Sequence, residues 1–223
     1  GDAGPAGRAH RVKASGRRPG RSAARERSIS WADRLDMQTL PTKLNGPILL
    51  APTVHGDERG FFLESYRRNV FAELGIEVDF VQDNHSRSGR GVLRGMHFQP
   101  GQAKLIRCVR GAILDVLVDI RVGSPQFGQW ESFVLDDGDH QQLYCPNGFA
   151  HGFCVLSQIA DVTYKVSTYY DPEIESGFAF DDPDVAIEWP TDVELIVSAR
   201  DREAPSLAQR TPSLPYRYTF ADA

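Results

Sequence analysis

The sequence predicts an all-β fold, an antiparallel β-sandwich or jelly roll with a few short peripheral helices. Three observations point there. Short apolar runs recur between Gly, Pro, Asp and Asn; many are rich in β-branched and aromatic residues; and only one stretch has a clear helical pattern. The runs fall at 47–55, 61–66, 80–84, 91–99, 104–110, 112–121, 130–136, 141–146, 152–157 and 161–170. In 112–121, Ile113, Asp115, Leu117 and Asp119 alternate with Leu114, Val116, Val118 and Ile120, the two-residue period of a strand. Gly111, between two runs, predicts a hairpin turn. The helix is expected at 69–75, with Asn69 as N-cap, apolar Val70, Phe71 and Leu74, and Gly75 as its stop. Pro190 and the polar stretch behind it place the last thirty residues around the outside. The chain has no internal repeat, no GxGxxG and no P-loop.

Composition divides the chain in two. Residues 1–36 hold nine of the 25 bases and four of the 30 acids, a net charge of +5; the remaining 16 and 26 leave residues 37–223 at −10. The first segment is rich in Gly, Ala, Arg and Ser and poor in large apolar residues, so burial cannot offset its ordering entropy. It reads as a basic, disordered extension without the apolar stretch of a secretory signal. Residues 37–223 read as one domain, with 41% hydrophobic residues in the whole chain to supply a core. The acidic body argues against nucleic-acid binding, and no apolar run approaches the ~20 residues of a membrane span. Cys108, Cys145 and Cys154 form no CxxC pair and are expected as buried thiols in a reducing compartment.

Against that acidic background, polar side chains sit inside apolar strands. His97 lies in Leu93-Arg94-Gly-Met-His97-Phe-Gln99, and His151 in Pro146-Asn-Gly-Phe-Ala-His151-Gly-Phe. Lys104 and Arg107 share one run at opposite parity, and Tyr164 and Tyr170 bracket another. One parity of each strand faces inward, so such residues predict a polar pocket within the shell. Taken singly, each is also an ordinary core or surface residue.

Taken in order, the blocks are specific. Asp57-Glu-Arg59-Gly-Phe-Phe-Leu-Glu64, Gln82-Asp-Asn84-His-Ser, Gly91-Val-Leu-Arg94-Gly-Met-His97-Phe-Gln and Ala103-Lys104-Leu resemble the dTDP-4-dehydrorhamnose 3,5-epimerase family. So do Asp119-Ile-Arg, Ser124-Pro-Gln-Phe-Gly-Gln-Trp130, the His151 block and Tyr164-Lys-Val-Ser-Thr-Tyr-Tyr170, the likeness running from about residue 40 to 202. The resemblance implies a cupin-like jelly roll, cofactor-free and metal-free, homodimeric and cytoplasmic, acting on a dTDP-4-keto-6-deoxy sugar in rhamnose biosynthesis. It implies His97 as base with Asp201 as its carboxylate partner, Tyr164 as the acid on the opposite face, and Lys104 as stabiliser of the enolate oxygen. Arg59, Glu64, Gln82, Asn84, Arg94, His151, Tyr170, Glu175 and Arg200 would line the substrate site. Phe180 stands where the family pattern has tryptophan, and Arg200 where it carries lysine.

The residue types suit the chemistry. Inverting a carbon beside a ketone requires removing its proton to an enolate and returning one from the other side. The carbon acid is far weaker than imidazolium, and each pKa unit of mismatch costs about 1.4 kcal/mol, so the developing oxyanion needs a cation. An imidazole titrates near neutrality, as a general base should, and a phenol can deliver the opposite proton. Arginines grip a diphosphate bidentately. Three other functions stay open: inversion at one carbon only, a non-catalytic sugar-nucleotide-binding module, and a metal-dependent cupin. The last would need two histidines and a glutamate where this chain has His97-Phe98-Gln99.

Overall fold

Twelve strands lie between residues 37 and 166. The computed structural model describes Gly1 and residues 37–219; the extension expected at 1–36 lies, beyond Gly1, outside the described residues. The strands are β1 (Met37–Leu40), β2 (Ile48–Pro52), β3 (Val54–Asp57), β4 (Gly60–Leu63), β5 (Gln82–Gly89) and β6 (Val92–Phe98). They continue as β7 (Lys104–Arg110), β8 (Ala112–Asp119), β9 (Trp130–Asp136), β10 (Gln142–Cys145), β11 (Phe149–Val155) and β12 (Ile159–Val166). Two short strands follow, β13 (Ser176–Gly177) and β14 (Ile196–Val197).

One sheet runs β1-β2-β10-β7-β12-β5, and the other β13-β6-β11-β8-β9 with β14 added in parallel to β6. The hairpin β3–β4 stands apart as a two-stranded unit. This is the expected jelly roll. Gly111 departs from expectation. It joins β7 of the first sheet to β8 of the second, so it turns a corner between sheets instead of closing a hairpin. Its φ of +77° and the Ile159 carbonyl, 2.2 Å from where a Cβ would sit, require glycine there.

Three apolar layers form. Between the sheets lie Ile106, Cys108 and Val162 from one side and Ile113, Leu117 and Phe153 from the other. Val116 and Val118 of β8 and Ile120 just after it face outward but are covered by C-terminal Leu207, Leu214 and Tyr216. Burial on both faces explains the nearly continuous apolar run of β8. On the outside of the first sheet, Leu105 and Tyr144 pack against Val70, Phe71 and Ile76 of the helical segment. That helix, α1 (Arg68–Glu73), begins two residues earlier than expected: its N-cap is Arg67, with no side-chain capping bond, and Asn69 lies inside it. Burial of Phe71, 1% exposed, is worth about 1.5–3 kcal/mol and holds the helix in place of a cap. Two further helical turns, α2 (Ala199–Arg202) and α3 (Leu207–Arg210), had no periodic signal because each spans a single turn.

Cys108, Cys145 and Cys154 are free and buried, and burial pushes their thiols up to about 11, 12 and 11 respectively. No helix among the described residues is long and apolar enough to cross a membrane.

Candidate active site

Strand parity would send Arg94 and His97, three residues apart, to opposite faces of the sheet. Both nevertheless line the same cavity. The reason is a bulge: His97 pairs with His151 and Arg94 with Phe153, so three steps on β6 match two on β11. Gly95, at φ +144°, occupies the bulge, and a Cβ there would come within 2.6 Å of the Gly152 Cα. Only glycine lets the strands approach so closely. The bulge thus brings Arg94, His97 and His151 to one cavity together.

The cavity they enter has a volume of about 620 Å³ between the two sheets. From the first sheet come Gln82, Asn84 and Ser86 of β5, Lys104 of β7 and Tyr164 of β12; the second supplies Arg94, His97 and His151. Tyr170, Glu175, Arg200 and Asp201 close the remainder. Eleven of the thirteen residues expected at the site therefore meet in one space. Arg59 and Glu64 do not. Arg59 ends the β3–β4 turn, 83% exposed and paired with Asp57, and Glu64 accepts from Arg67 Nε at 2.7 Å. The β3–β4 hairpin pairs with neither sheet, and its Phe61 and Phe62 are 60% and 70% exposed. Phe180 also stays outside, packed beside Leu93, Cys154 and Val197.

His97 Nε2 lies 2.7 Å from Asp201 Oδ1. Asp201 is held by α2, where Ser198 caps the helix and accepts from the Asp201 backbone N–H at 3.1 Å. Burial pushes the Asp201 carboxyl up, yet hydrogen bonds from His97, Gly95 and Ser198 outweigh it and hold the group below the usual range. Across the cavity, burial raises the Tyr164 phenol, with Glu175 and Tyr170 adding to the effect and Arg94 opposing it. The phenol therefore keeps its proton at neutral pH. Lys104 is buried, and burial drives its ammonium down, against the pull of Cys145, Glu175 and Asp115. At the mouth, Arg200 pairs with Glu175 at 2.7 Å, and Tyr170 donates to the same carboxylate at 3.2 Å. Arg94 donates to Ser88 Oγ at 3.2 and 3.1 Å.

Ser86, Gln102 and Ser198 also line the space, and none was singled out from the sequence. Ser198, three residues before Asp201, carried a readable sign in its N-cap spacing. Ser86 Oγ is buried with no partner among the described residues, as befits a group that meets a ligand. Gln99, where a cupin would place a metal ligand, is engaged elsewhere: it donates to Thr168 Oγ1 and the Tyr169 carbonyl and accepts from Asp171 N–H. Among the described residues, no three His, Cys, Asp or Glu side chains converge as a metal site would need.

A histidine–carboxylate pair, a buried amine and a phenol around one cavity suit acid–base chemistry on a ligand held between the sheets. Comparison with known proteins narrows the class. The family described as dTDP-4-dehydrorhamnose 3,5-epimerase matches residues 41–209. The Escherichia coli K12 protein of that name is 49% identical over 169 residues, 74% of this chain and 91% of its own. A Streptomyces niveus protein, dTDP-4-dehydrorhamnose 3-epimerase, is 45% identical over 78% of this chain and 85% of its own. The crystal structure of a Legionella pneumophila 3,5-epimerase in complex with dTDP-4-keto-L-rhamnose superposes with a TM-score of 0.80 at 44% identity, covering 82% of this chain and 99% of that one. The chain belongs to the dTDP-4-dehydrorhamnose 3,5-epimerase family.

Burial of Lys104 generates a prediction. Its folded pKa lies below the unfolded value of about 10.4, so a charged amine is held at a cost at every pH below the folded value. Lys104→Met should raise the unfolding free energy at pH 7 by about 1–3 kcal/mol while lowering turnover by about a hundredfold or more. As pH climbs toward 10, the native wild type sheds the proton first, and the stability gap should narrow. Urea unfolding of both proteins at pH 7 and 9.5 checks this; a destabilised variant at pH 7 contradicts it.

Proposed function

We propose that this protein inverts C3 and C5 of dTDP-4-keto-6-deoxy-D-glucose, the 3,5-epimerase step of dTDP-L-rhamnose biosynthesis. The observation that carries this proposal is the opposition of His97, on one sheet, to Tyr164, on the other, across a cavity that also holds Lys104. His97 takes the proton from the carbon beside the ketone, and the electron pair passes to the carbonyl oxygen. Lys104 supplies positive charge to that oxygen in a site shielded from water. Asp201 holds the imidazole and stabilises the imidazolium. Tyr164 returns a proton to the far face of the same carbon, and the configuration inverts. Proton exchange with solvent then restores both residues, so no redox partner or cofactor enters the balance. Arg94, Arg200, Gln82 and Asn84 suit the diphosphate and sugar, with Tyr170, Glu175 and His151 completing the wall.

A single-carbon inversion is the second reading, favoured by the 45% identity to the Streptomyces niveus 3-epimerase. Incubation with dTDP-4-keto-6-deoxyglucose in D₂O, read by NMR, separates the two. Label at both C3 and C5 is expected; label at one carbon selects the mono-epimerase, and none at either overturns the assignment. His97→Ala should abolish exchange. Tyr164→Phe should impair productive inversion more than initial proton loss, and equal losses contradict its part as the opposite-face acid.

We further infer a cytoplasmic homodimer. Three free buried thiols fit a reducing compartment. The exposed Phe61 and Phe62 fit an interface with a second copy, in which Arg59 and Glu64 would bear on that copy's cavity instead of their own. Equilibrium sedimentation at micromolar concentration should read a dimer, and a monomer there contradicts the inference.

A further inference from the structure

Asp115 is the anomaly of β8. It occupies an inward position between Ile113 and Leu117, is 0% exposed, and has a single side-chain partner: its Oδ2 lies 2.9 Å from His151 Nε2. Its other oxygen, Oδ1, has no partner among the described residues. An apolar residue would suit this core position better, since a buried carboxylate is costly unless it performs a task. Its partner faces the cavity beside His97, its register neighbour on β6. His151 Nδ1 makes no hydrogen bond among the described residues.

We propose that Asp115 is a positioning residue, locking His151 with its proton on Nε2 so that the bare Nδ1 faces the cavity and accepts a hydrogen bond from a hydroxyl of the bound sugar. The chemistry of the pair leads there. A carboxylate can only accept, so the proton it shares with the ring belongs to the ring nitrogen. Asp115 also attracts the nearby Lys104 ammonium, opposing the effect of burial on that amine. Burial lowers the His151 pKa, against the pull of Asp115 and with Lys104 and His97 adding to the lowering, which keeps the ring neutral. A neutral ring with hydrogen on Nε2 offers a lone pair at Nδ1. A ketone oxygen has no proton to give that lone pair, whereas a hydroxyl does. His97 and His151 are thus neighbours with different tasks: one takes a proton from carbon, the other fixes a hydroxyl and with it the orientation of the ring.

The last clause of the proposal, the sugar hydroxyl, rests on the proposed function; the tautomer does not, and the test keeps them apart. Protein carrying ¹⁵N-histidine is examined at pH 7 by long-range ¹H–¹⁵N correlation, with the His151 signals identified by their loss in His151→Gln. The wild type should show His151 protonated at Nε2 alone. An imidazolium, or a ring protonated at Nδ1, overturns the proposal whatever Asp115→Asn shows. In Asp115→Asn, the amide can donate to Nε2, and the ring proton should move to Nδ1. With the keto sugar nucleotide, Asp115→Asn and His151→Gln should each raise KM about tenfold with kcat within a factor of about three, and the double variant should match either single one. An unchanged tautomer in Asp115→Asn, or losses that multiply in the double variant, contradicts a positioning role. Absence of turnover by the wild type would count against the function and leave the tautomer to decide Asp115.

Discussion

The gap between two facing sheets sets the chemistry of this protein. Backbones in a sandwich stand about 10 Å apart, and a side chain from each side leaves room for little more than a sugar ring. His97 rises from the second sheet and Tyr164 from the first, so their separation is fixed by the same packing that buries Ile106 against Leu117 further along the sandwich. A loop-built site would have to order itself around the ligand. Here the core does that work before any ligand arrives, and the base and acid that the proposed inversion places on opposite faces of one carbon are held apart by architecture.

Polar residues inside that gap strain the fold that carries them. Lys104, Asp115, His151 and Asp201 are all at most 9% exposed, in positions an apolar side chain would fill more cheaply. They are tolerated because they come as interacting groups: His97 with Asp201, His151 with Asp115, and Lys104 within the field of Asp115 and Glu175. In the two hydrogen-bonded pairs, removing either member strands the other. The apolar layers on both outer faces of the sandwich supply the stability this interior forgoes.

Much of the fold was legible in the sequence because strands announce themselves by alternation. The runs at 104–110 and 130–136 coincide with β7 and β9, while β5 extends to Gly89 through the polar His-Ser-Arg-Ser stretch, which has no apolar period to show. What stayed hidden depends on contacts between elements. The Gly111 corner looks like a hairpin until one knows that β7 and β8 belong to different sheets. The bulge at Gly95 is equally unreadable, yet without it Arg94 and His97 could not share a cavity. Asp115 was visible in its strand, but nothing local revealed that its partner lies on β11, 36 residues on. Nor did the sequence reveal that Arg59 and Glu64 lie apart from the cavity, since their block reads like the others and only the separate pairing of β3 with β4 sets it aside.

The central claim is geometric: the substrate's hexose ring lies between His97 and Tyr164, with the ketone oxygen at Lys104. A crystal structure of this protein with dTDP-L-rhamnose bound tests it most directly. The account predicts the imidazole on one face of the ring, the phenol on the other, and Lys104 Nζ within hydrogen-bonding distance of the oxygen on C4. A sugar with both side chains on the same face, or bound outside the space between the sheets, would contradict it.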